Sequence, residues 1–293
     1  MRAATRGSPL ALRQTELVAA LLGVPVETVV VETAGDQRRD VPIREIGGRG
    51  VFVKEVQAAV LDGRADFAVH SAKDLQSTPT EGLVIGAVPE REDPRDALVG
   101  NTLEGLAPGA RVATGSARRL AQLAARRPDL TFAELRGNIG TRIDKASQFG
   151  AVVVAYAALR RLGRADEATE VLEPAVMLPQ VAQGALAVEC RADDADTLAR
   201  LTAIEHAPTR AAVDAERAFL AELGGGCDLP VGAYSTVDGD GVITLRGLIA
   251  SFDGRIVLRH TGTGGDPAAV GSEVARHLLD RSGGRGLLEG SAP

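Results

Sequence analysis

The sequence predicts an α/β protein of two or three domains, and three observations carry that reading. Short β-branched or small apolar runs, such as Val26–Val31 and Ala151–Ala155, alternate with stretches of helical periodicity. The length is 293 residues, against roughly 100–200 residues per domain. After Pro208 the pattern changes to one long helix followed by hairpin-linked strands, a small α+β unit.

The elements follow in order. Arg2–Thr5 reads as a first strand, and Ser8-Pro9 as N-cap and first helical position. Leu10, Leu17, Val18, Leu21 and Leu22 form the apolar face of that helix, and Gly23 stops it. Val26–Val31 is a strand. From Thr33 to Gly50 periodicity is lost among glycines and mixed charges, which predicts a lid or binding loop over Asp36–Gly50. Val51–Leu61 is a helix ended by Gly63, and Asp66–His70 a buried strand. Glu90–Asp96 reads as a solvated turn where the chain crosses between domains. The second series has strands at Arg111–Ala113, Thr131–Leu135 and Ala151–Ala155, with helices at Ala117–Arg126, Thr141–Gln148 and Ala158–Leu162. Ala185–Cys190 is one more buried strand. The last unit has a helix over Thr209–Leu223, a Gly-rich loop to Cys227, strands at Val231–Val237, Val242–Ala250 and Arg255–Thr263, and a helix over Ala268–Leu279. No internal repeat is visible.

Composition narrows the function. Hydrophobic residues are 45% and charged residues 25%, both globular values. A net charge of −6 argues against nucleic acid, whose phosphates call for a basic surface. Aromatics at 3% and the absence of Trp argue against base stacking. No apolar run reaches the ~18 residues of a membrane span. Two cysteines make no disulfide framework, and the N-terminus lacks an apolar signal core, so a soluble cytoplasmic protein is expected.

Four constellations can carry chemistry. Val69-His70-Ser71-Ala72-Lys73-Asp74 closes a strand, where open α/β sheets bind ligands; the alternative is a surface ion pair. Thr114-Gly115-Ser116-Ala117-Arg118-Arg119 places two arginines in the first turn of a helix, where the dipole is already positive. That is unfavourable unless an anion compensates it; the alternative is two solvated arginines. Arg136-Gly137-Asn138-Ile139-Gly140-Thr141-Arg142 runs from a strand into a helix expected to begin at Thr141, again with an arginine at its start. Together these two suggest a polyanionic ligand, and no Walker or dinucleotide fingerprint accompanies them. Gly225-Gly226-Cys227-Asp228 exposes a thiol that is a nucleophile, an attachment point or inert, whereas Cys190 reads as core. Four scattered His and two distant Cys give no zinc site.

In this order the motifs resemble the porphobilinogen deaminase (hydroxymethylbilane synthase) family, over nearly the whole chain. The likeness includes Ala4-Thr5-Arg6-Gly7-Ser8-Pro9-Leu10-Ala11-Leu12, Gly47–Glu55, His70–Asp74, Glu90–Asp96, Arg118-Arg119, Arg136–Arg142, Gln183-Gly184-Ala185 and Gly225-Gly226-Cys227. It departs at Ala72, at Leu75-Gln76 and at Gly115 and Ala117. The resemblance implies two α/β domains like those of type II periplasmic binding proteins plus a small C-terminal domain: residues 1–88 with 185–204, 89–184, and 205–293. It implies a transferase of tetrapyrrole synthesis that joins four porphobilinogens, releases one ammonia each, and grows the chain on a dipyrromethane cofactor thioether-linked to Cys227. Asp74 matches the catalytic carboxylate. Lys73, Asp74, Thr114, Ser116, Arg118, Arg119, Arg136 and Asn138 match cofactor-binding positions, and Arg6, Ser8, Arg142 and Arg161 substrate-binding ones. No metal, nucleic acid or membrane is implied, and the expected state is a cytoplasmic monomer. Each porphobilinogen carries an acetate and a propionate, so a polypyrrole is the polyanion the arginines call for.

Two other readings use parts of the same pattern. A solute-binding protein would clamp an anion between paired lobes but has no use for Cys227. A cysteine hydrolase would need His70 or His206 to reach Cys227, and no spacing suggests it.

Overall fold

The computed structural model describes residues 1–33, 53–225 and 229–289. The expected lid over Asp36–Gly50 and the Cys227 thiol lie outside the described residues.

In chain order the first elements are strand β1 (Arg2–Arg6), helix α1 (Pro9–Leu22), β2 (Glu27–Val31), α2 (Lys54–Leu61), β3 (Phe67–Ser71), a 3-10 turn at Ala72–Asp74 and β4 (Leu83–Ala87). Next come β5 (Asp96–Val99), β6 (Arg111–Ala113), α3 (Ala117–Arg126), β7 (Thr131–Ala133), α4 (Ile139–Asp144), β8 (Ala151–Ala155), α5 (Tyr156–Arg161) and β9 (Glu170–Leu172). The chain ends with β10 (Leu186–Arg191), α6 (Ala195–Thr202), α7 (Ala207–Glu222), β11 (Val231–Val237), β12 (Ile243–Ala250), β13 (Val257–Gly264), α8 (Pro267–Arg276) and α9 (Gly284–Glu289).

Two compact units divide the chain: residues 1–92 with 184–210, and residues 93–183 with 211–293. The first holds a five-stranded sheet in the order β2-β1-β3-β10-β4. β1 runs parallel to β2 and β3, and β10 is antiparallel to β3 and β4. The second holds a sheet in the order β7-β6-β8-β5-β9, with β6 parallel to β7 and β8, and β5 antiparallel to β8 and β9. The two orders follow one plan, three adjacent parallel strands, a fourth antiparallel to them, and a fifth that reverses again to run with the first three, although no repeat shows in the sequence. The second unit also contains the antiparallel sheet β11-β12-β13.

The central strands of both large sheets are buried on both faces, as the parallel parts of sheets require. Ala3 and Phe67 belong to one core and Ala4 and Ala68 to the core across the sheet; Val152 and Val153 separate the same way in the second unit. Within the second unit, a Cβ on Gly271 of α8 would meet the Ala215 carbonyl of α7 at 2.3 Å, so the two helices pack at a distance only glycine permits.

Four expectations need correction. The buried face of α1 is Gln14, Thr15 and Val18, while Leu21 is 57% exposed. A periodicity count credits only apolar residues, but Gln14 is satisfied by half-buried Ser71 and is itself buried. Glu90–Asp96 does not stay a solvated turn to its end: Asp96 is 0% exposed and opens β5. The helix expected at Thr141 begins at Ile139, because Asn138 is the cap that accepts from the Thr141 amide. Arg142 therefore sits in the last turn of a six-residue helix, not at its start.

Candidate active site

In the first unit, parallel strands β1 and β3 end side by side at Arg6 and Ser71. The residues at and beyond those ends include Arg6, Ser8, Lys73 and Asp74. Ser8 caps α1: its Oγ accepts from the Ala11 amide at 3.2 Å, which leaves the hydroxyl hydrogen to be donated elsewhere. Ser71 is fixed by the Gln14 amide group, through contacts of 2.8 and 3.2 Å. The 3-10 turn is tied down where the Ala72 amide donates to the Ala185 carbonyl at 3.0 Å. Lys73 and Asp74 are half-buried on that turn. Among the described residues no hydrogen bond or ion pair reaches the Asp74 carboxylate, so it is not the surface ion pair that its sequence neighbour Lys73 suggested.

Behind this turn lies a buried polar chain that sequence reasoning missed. The Thr80 hydroxyl donates to Gln57 Oε1 at 3.1 Å, Gln57 Nε2 donates to Glu189 Oε2 at 2.8 Å, and that oxygen lies 3.1 Å from His70 Nε2. Glu189 and His70 stand on neighbouring strands inside otherwise apolar runs, which is why the sequence reads there as plain core.

In the second unit, β6, β7 and β8 are parallel, and β5 starts where they end, because Asp96 pairs with Ala155. Thr114 follows β6, Arg136 and Asn138 follow β7, and Arg161 closes the helix after β8. Topology thus gathers Thr114, Arg136 and Asn138 at the carboxyl ends of the strands, whereas Arg161 stands at the far end of the helix that leaves β8. Thr114 Oγ1 accepts from the Ser116 amide at 3.2 Å, Ser116 Oγ from the Arg119 amide at 3.4 Å, and Asn138 Oδ1 from the Thr141 amide at 2.9 Å. In each case the local backbone takes an acceptor and leaves an O–H or N–H donor. Arg136 pairs with Glu134 at 2.8 Å, and Arg142 Nε donates to the Gly137 carbonyl at 2.8 Å.

Arg118 and Arg119 are not solvated; they are 2% and 6% exposed. The anion that the helix start required is Asp96, from the same chain. Arg119 donates from Nε and Nη2 to Asp96 Oδ1 at 3.0 and 2.8 Å, and from Nη1 to the Val153 carbonyl at 3.0 Å. Arg118 Nη1 lies 2.8 Å from Asp96 Oδ2 and donates to the Leu178 carbonyl at 2.6 Å. Burial would raise the Asp96 pKa, but the Arg118 and Arg119 charges outweigh it and hold the carboxyl well below its usual range. Burial pulls the Arg118 pKa down, with the Asp96 charge opposing.

Asp96 does not satisfy the whole cluster. Among the described residues, Arg118 Nε and Nη2 are buried with no hydrogen-bond partner, and Asp96 Oδ2 meets Arg118 as an ion pair without a hydrogen bond. These two nitrogens form one edge of the guanidinium, the edge that takes a carboxylate in two parallel bonds. Buried donors of a charged group are costly to leave unmade. The edge therefore fits a ligand carboxylate, as a dipyrromethane bearing acetate and propionate groups would provide.

The same chemistry emerges from comparison with known proteins. Residues 1–199 match the family described as porphobilinogen deaminase, dipyromethane cofactor binding domain, and residues 210–280 match porphobilinogen deaminase, C-terminal domain. The chain belongs to the porphobilinogen deaminase family. The porphobilinogen deaminase of Syntrophus aciditrophicus is 48% identical over 301 residues, 99% of this chain and 98% of that one. That of Brevibacillus brevis is 46% identical over 295 residues, 97% and 96% of the two chains. Among solved structures, a periplasmic binding protein of Salmonella typhimurium with high arginine specificity shows a partial likeness: 12% identity, 69% of this chain, 89% of that one and a TM-score of 0.37. Family membership makes this chain a tetrapyrrole-synthesis enzyme with a dipyrromethane-binding region. No helix among the described residues is long and apolar enough to cross a membrane.

Proposed function

We propose that this enzyme joins four porphobilinogens head to tail, with loss of one ammonia each, using Asp74 as its catalytic carboxylate and arginine forks as its carboxylate grips. When bound, dipyrromethane supplies the anchor and the reactive pyrrole end for the growing chain, and Cys227 would hold it. Lys73, Arg118, Arg119 and Arg136 would bind its carboxylates, and Thr114, Ser116 and Asn138 would add neutral donors. Asp74 would lie against the same group. Arg6, Ser8, Arg142 and Arg161 would bind the carboxylates of incoming substrate and growing chain. The observation that carries the cofactor reading is the unpartnered Nε–Nη2 edge of buried Arg118.

Asp74 has two tasks. Loss of ammonia leaves a cationic pyrrole, and a carboxylate without a competing internal partner stabilises that charge. The same carboxyl gives a proton to the departing amine and removes one from the attacked ring. The donors left over at Ser8, Thr114, Ser116 and Asn138 bind oxygens without adding charge. The proposed enzyme is a cytoplasmic monomer that works without nucleic acid, and the last point is supported by the acidic balance of 39 acidic against 33 basic residues.

Intact mass spectrometry of reduced, denatured enzyme tests the reading. We expect an excess over the sequence mass equal to two linked pyrrole units, mapped to the peptide containing Cys227. Active enzyme with unmodified Cys227 contradicts it.

A further inference from the structure

Arg118 Nη1 donates to the Leu178 carbonyl at 2.6 Å. Leu178 is in turn held by Gln122, one turn further along α3. The Leu178 amide donates to Gln122 Oε1 at 2.8 Å, and Gln122 Nε2 donates to the Leu178 carbonyl at 3.0 Å. Resting on the reading that Arg118 binds a cofactor carboxylate, we infer that Gln122 is a positioning residue of the cofactor site: it fixes the carbonyl that aims the Arg118 guanidinium.

Gln122 is 2% exposed, so it acts through its neighbours. Arg118 and Gln122 stand four residues apart on α3, hence on one face of the helix. A primary amide offers an acceptor and donors together, and here it takes both backbone groups of one residue. That two-point grip sets the place and the tilt of the Leu178 carbonyl. One lone pair of this oxygen serves Gln122 and the other serves Arg118. Among the described residues, this carbonyl is the one hydrogen-bond acceptor that the Arg118 guanidinium meets, and Asp96 adds an ion pair. Charge alone holds a guanidinium near its partner. A directional bond decides which edge of the plane is left for a ligand, here Nε and Nη2.

The same backbone meets the strand that follows Cys227. The Ala233 amide of β11 donates to the Pro179 carbonyl at 3.1 Å. A Cβ on Gly232 would stand 2.9 Å from the Pro179 carbonyl and 3.1 Å from that of Leu178. Val231, which opens β11, comes four residues after Cys227. Gln122 therefore registers the Arg118 fork against the strand next to the proposed tether, as a short cofactor held at both places requires. Glu216 of α7 provides a contrast. Its buried carboxylate accepts from the Ala182 amide at 2.6 Å and the Ser235 amide at 2.7 Å, pinning the same stretch of chain to β11 at points other than Leu178.

The test titrates full-length apoprotein with porphobilinogen for a fixed time. Intact mass gives the concentration that loads half the chains, and melting temperatures are read before and after loading. Wild type is compared with Gln122→Met, Gln122→Asn, Glu216→Gln, Arg118→Met and Arg118→Met/Gln122→Met. Gln122→Met keeps the volume and removes both bonds to Leu178. Its half-loading concentration should rise about tenfold, the scale of a hydrogen bond to a charged group, and its melting gain on loading should shrink. Gln122→Asn, one methylene short, should fall between it and the wild type, and decides the matter if Gln122→Met does not fold. Glu216→Gln should lower both melting temperatures and leave half-loading near the wild-type value. The double variant should load no worse than Arg118→Met, because Gln122 acts through Arg118. Wild-type loading in the Gln122 variants, an equal loading loss in Glu216→Gln, or a further loss in the double variant would overturn the inference. If Arg118→Met loads normally, the reading of Arg118 fails and the inference with it; if Arg118→Met loses loading while the Gln122 variants keep it, only the role of Gln122 falls.

Discussion

Asp74 and Asp96 occupy comparable places in their two units, beside the carboxyl ends of parallel strands, and they differ in almost every other respect. Asp74 is half-buried on a single 3-10 turn and meets no bond from a described residue. Asp96 is fully buried, opens a central strand, and is gripped by Arg118, Arg119 and Gln183. A fully buried carboxylate paired with two guanidiniums can position its neighbours but is unavailable to a reacting centre. One whose oxygens are open adds little to the fold and is free to meet charge as it develops. The two residues should therefore fail in opposite ways.

Asp74→Asn tests one side of that contrast and should have the largest effect. Loss of the charge and the proton shuttle should cost about 10²–10⁴-fold in turnover. The melting temperature should stay close to that of the wild type. Rates of hydroxymethylbilane formation beside thermal melts give both numbers, and near-normal turnover would remove Asp74 from the mechanism.

Asp96→Ala should reverse the pattern. Removing one partner of a buried ion cluster strands the guanidiniums, at about 3–5 kcal/mol. Denaturant unfolding measures it. The pH dependence has a definite sign. The folded-state pKa of Asp96 lies below its unfolded value of about 3.9, so its stabilisation is complete above that value and is lost as pH falls below it toward the folded pKa. The acid limb of the wild-type stability curve should therefore be steeper than that of Asp96→Asn. Identical limbs would mean that Asp96 is not charged in the folded protein.

The same contrast marks what could be read from the sequence. Asp74 sits in a motif at a strand end, a position that local pattern exposes, and the boundaries of α3 and β11 matched their expectations residue for residue. Asp96 lies in a charged stretch, Glu90–Asp96, whose local signal is polar. Its burial depends on Arg118 and Arg119, more than twenty residues away and without any periodic relation. β4 and the three-residue β9 went unseen, since short strands are specified by the neighbours they pair with. The pairing of Gln14 with Ser71 and of Glu189 with His70 was hidden for the same reason. The helix-start argument did find the need for an anion at Arg118 and Arg119, but not that the protein supplies one itself.

Cys190 provides a smaller test, of whether burial alone separates scaffold from chemistry in the first unit. It is 0% exposed on β10, and burial pushes its thiol pKa up to about 11. It should resist alkylation in the native enzyme at pH 8 and react only on unfolding. Cys190→Ser should keep the cofactor mass and lose about 1–3 kcal/mol, the cost of a buried hydroxyl without a partner. Rapid native alkylation would show that the β10 core opens.

The smallest expected effects come from the two serine caps, one in each unit, which carry the comparison down to single hydrogen bonds. Ser8 accepts from the Ala11 amide at 3.2 Å and Ser116 from the Arg119 amide at 3.4 Å. As caps alone, Ser8→Ala and Ser116→Ala should each cost about 0.5–1 kcal/mol, with the longer Ser116 bond toward the lower end. Their hydroxyl hydrogens are proposed for different ligands, so the functional signatures should diverge. Ser8→Ala should raise KM for porphobilinogen while leaving the cofactor mass intact. Ser116→Ala should lower the fraction of chains that carry cofactor, because its hydroxyl belongs to the turn that presents Arg118. Equal stability losses with no change in KM or cofactor content would reduce both serines to helix caps and leave ligand binding in both units to the charged side chains.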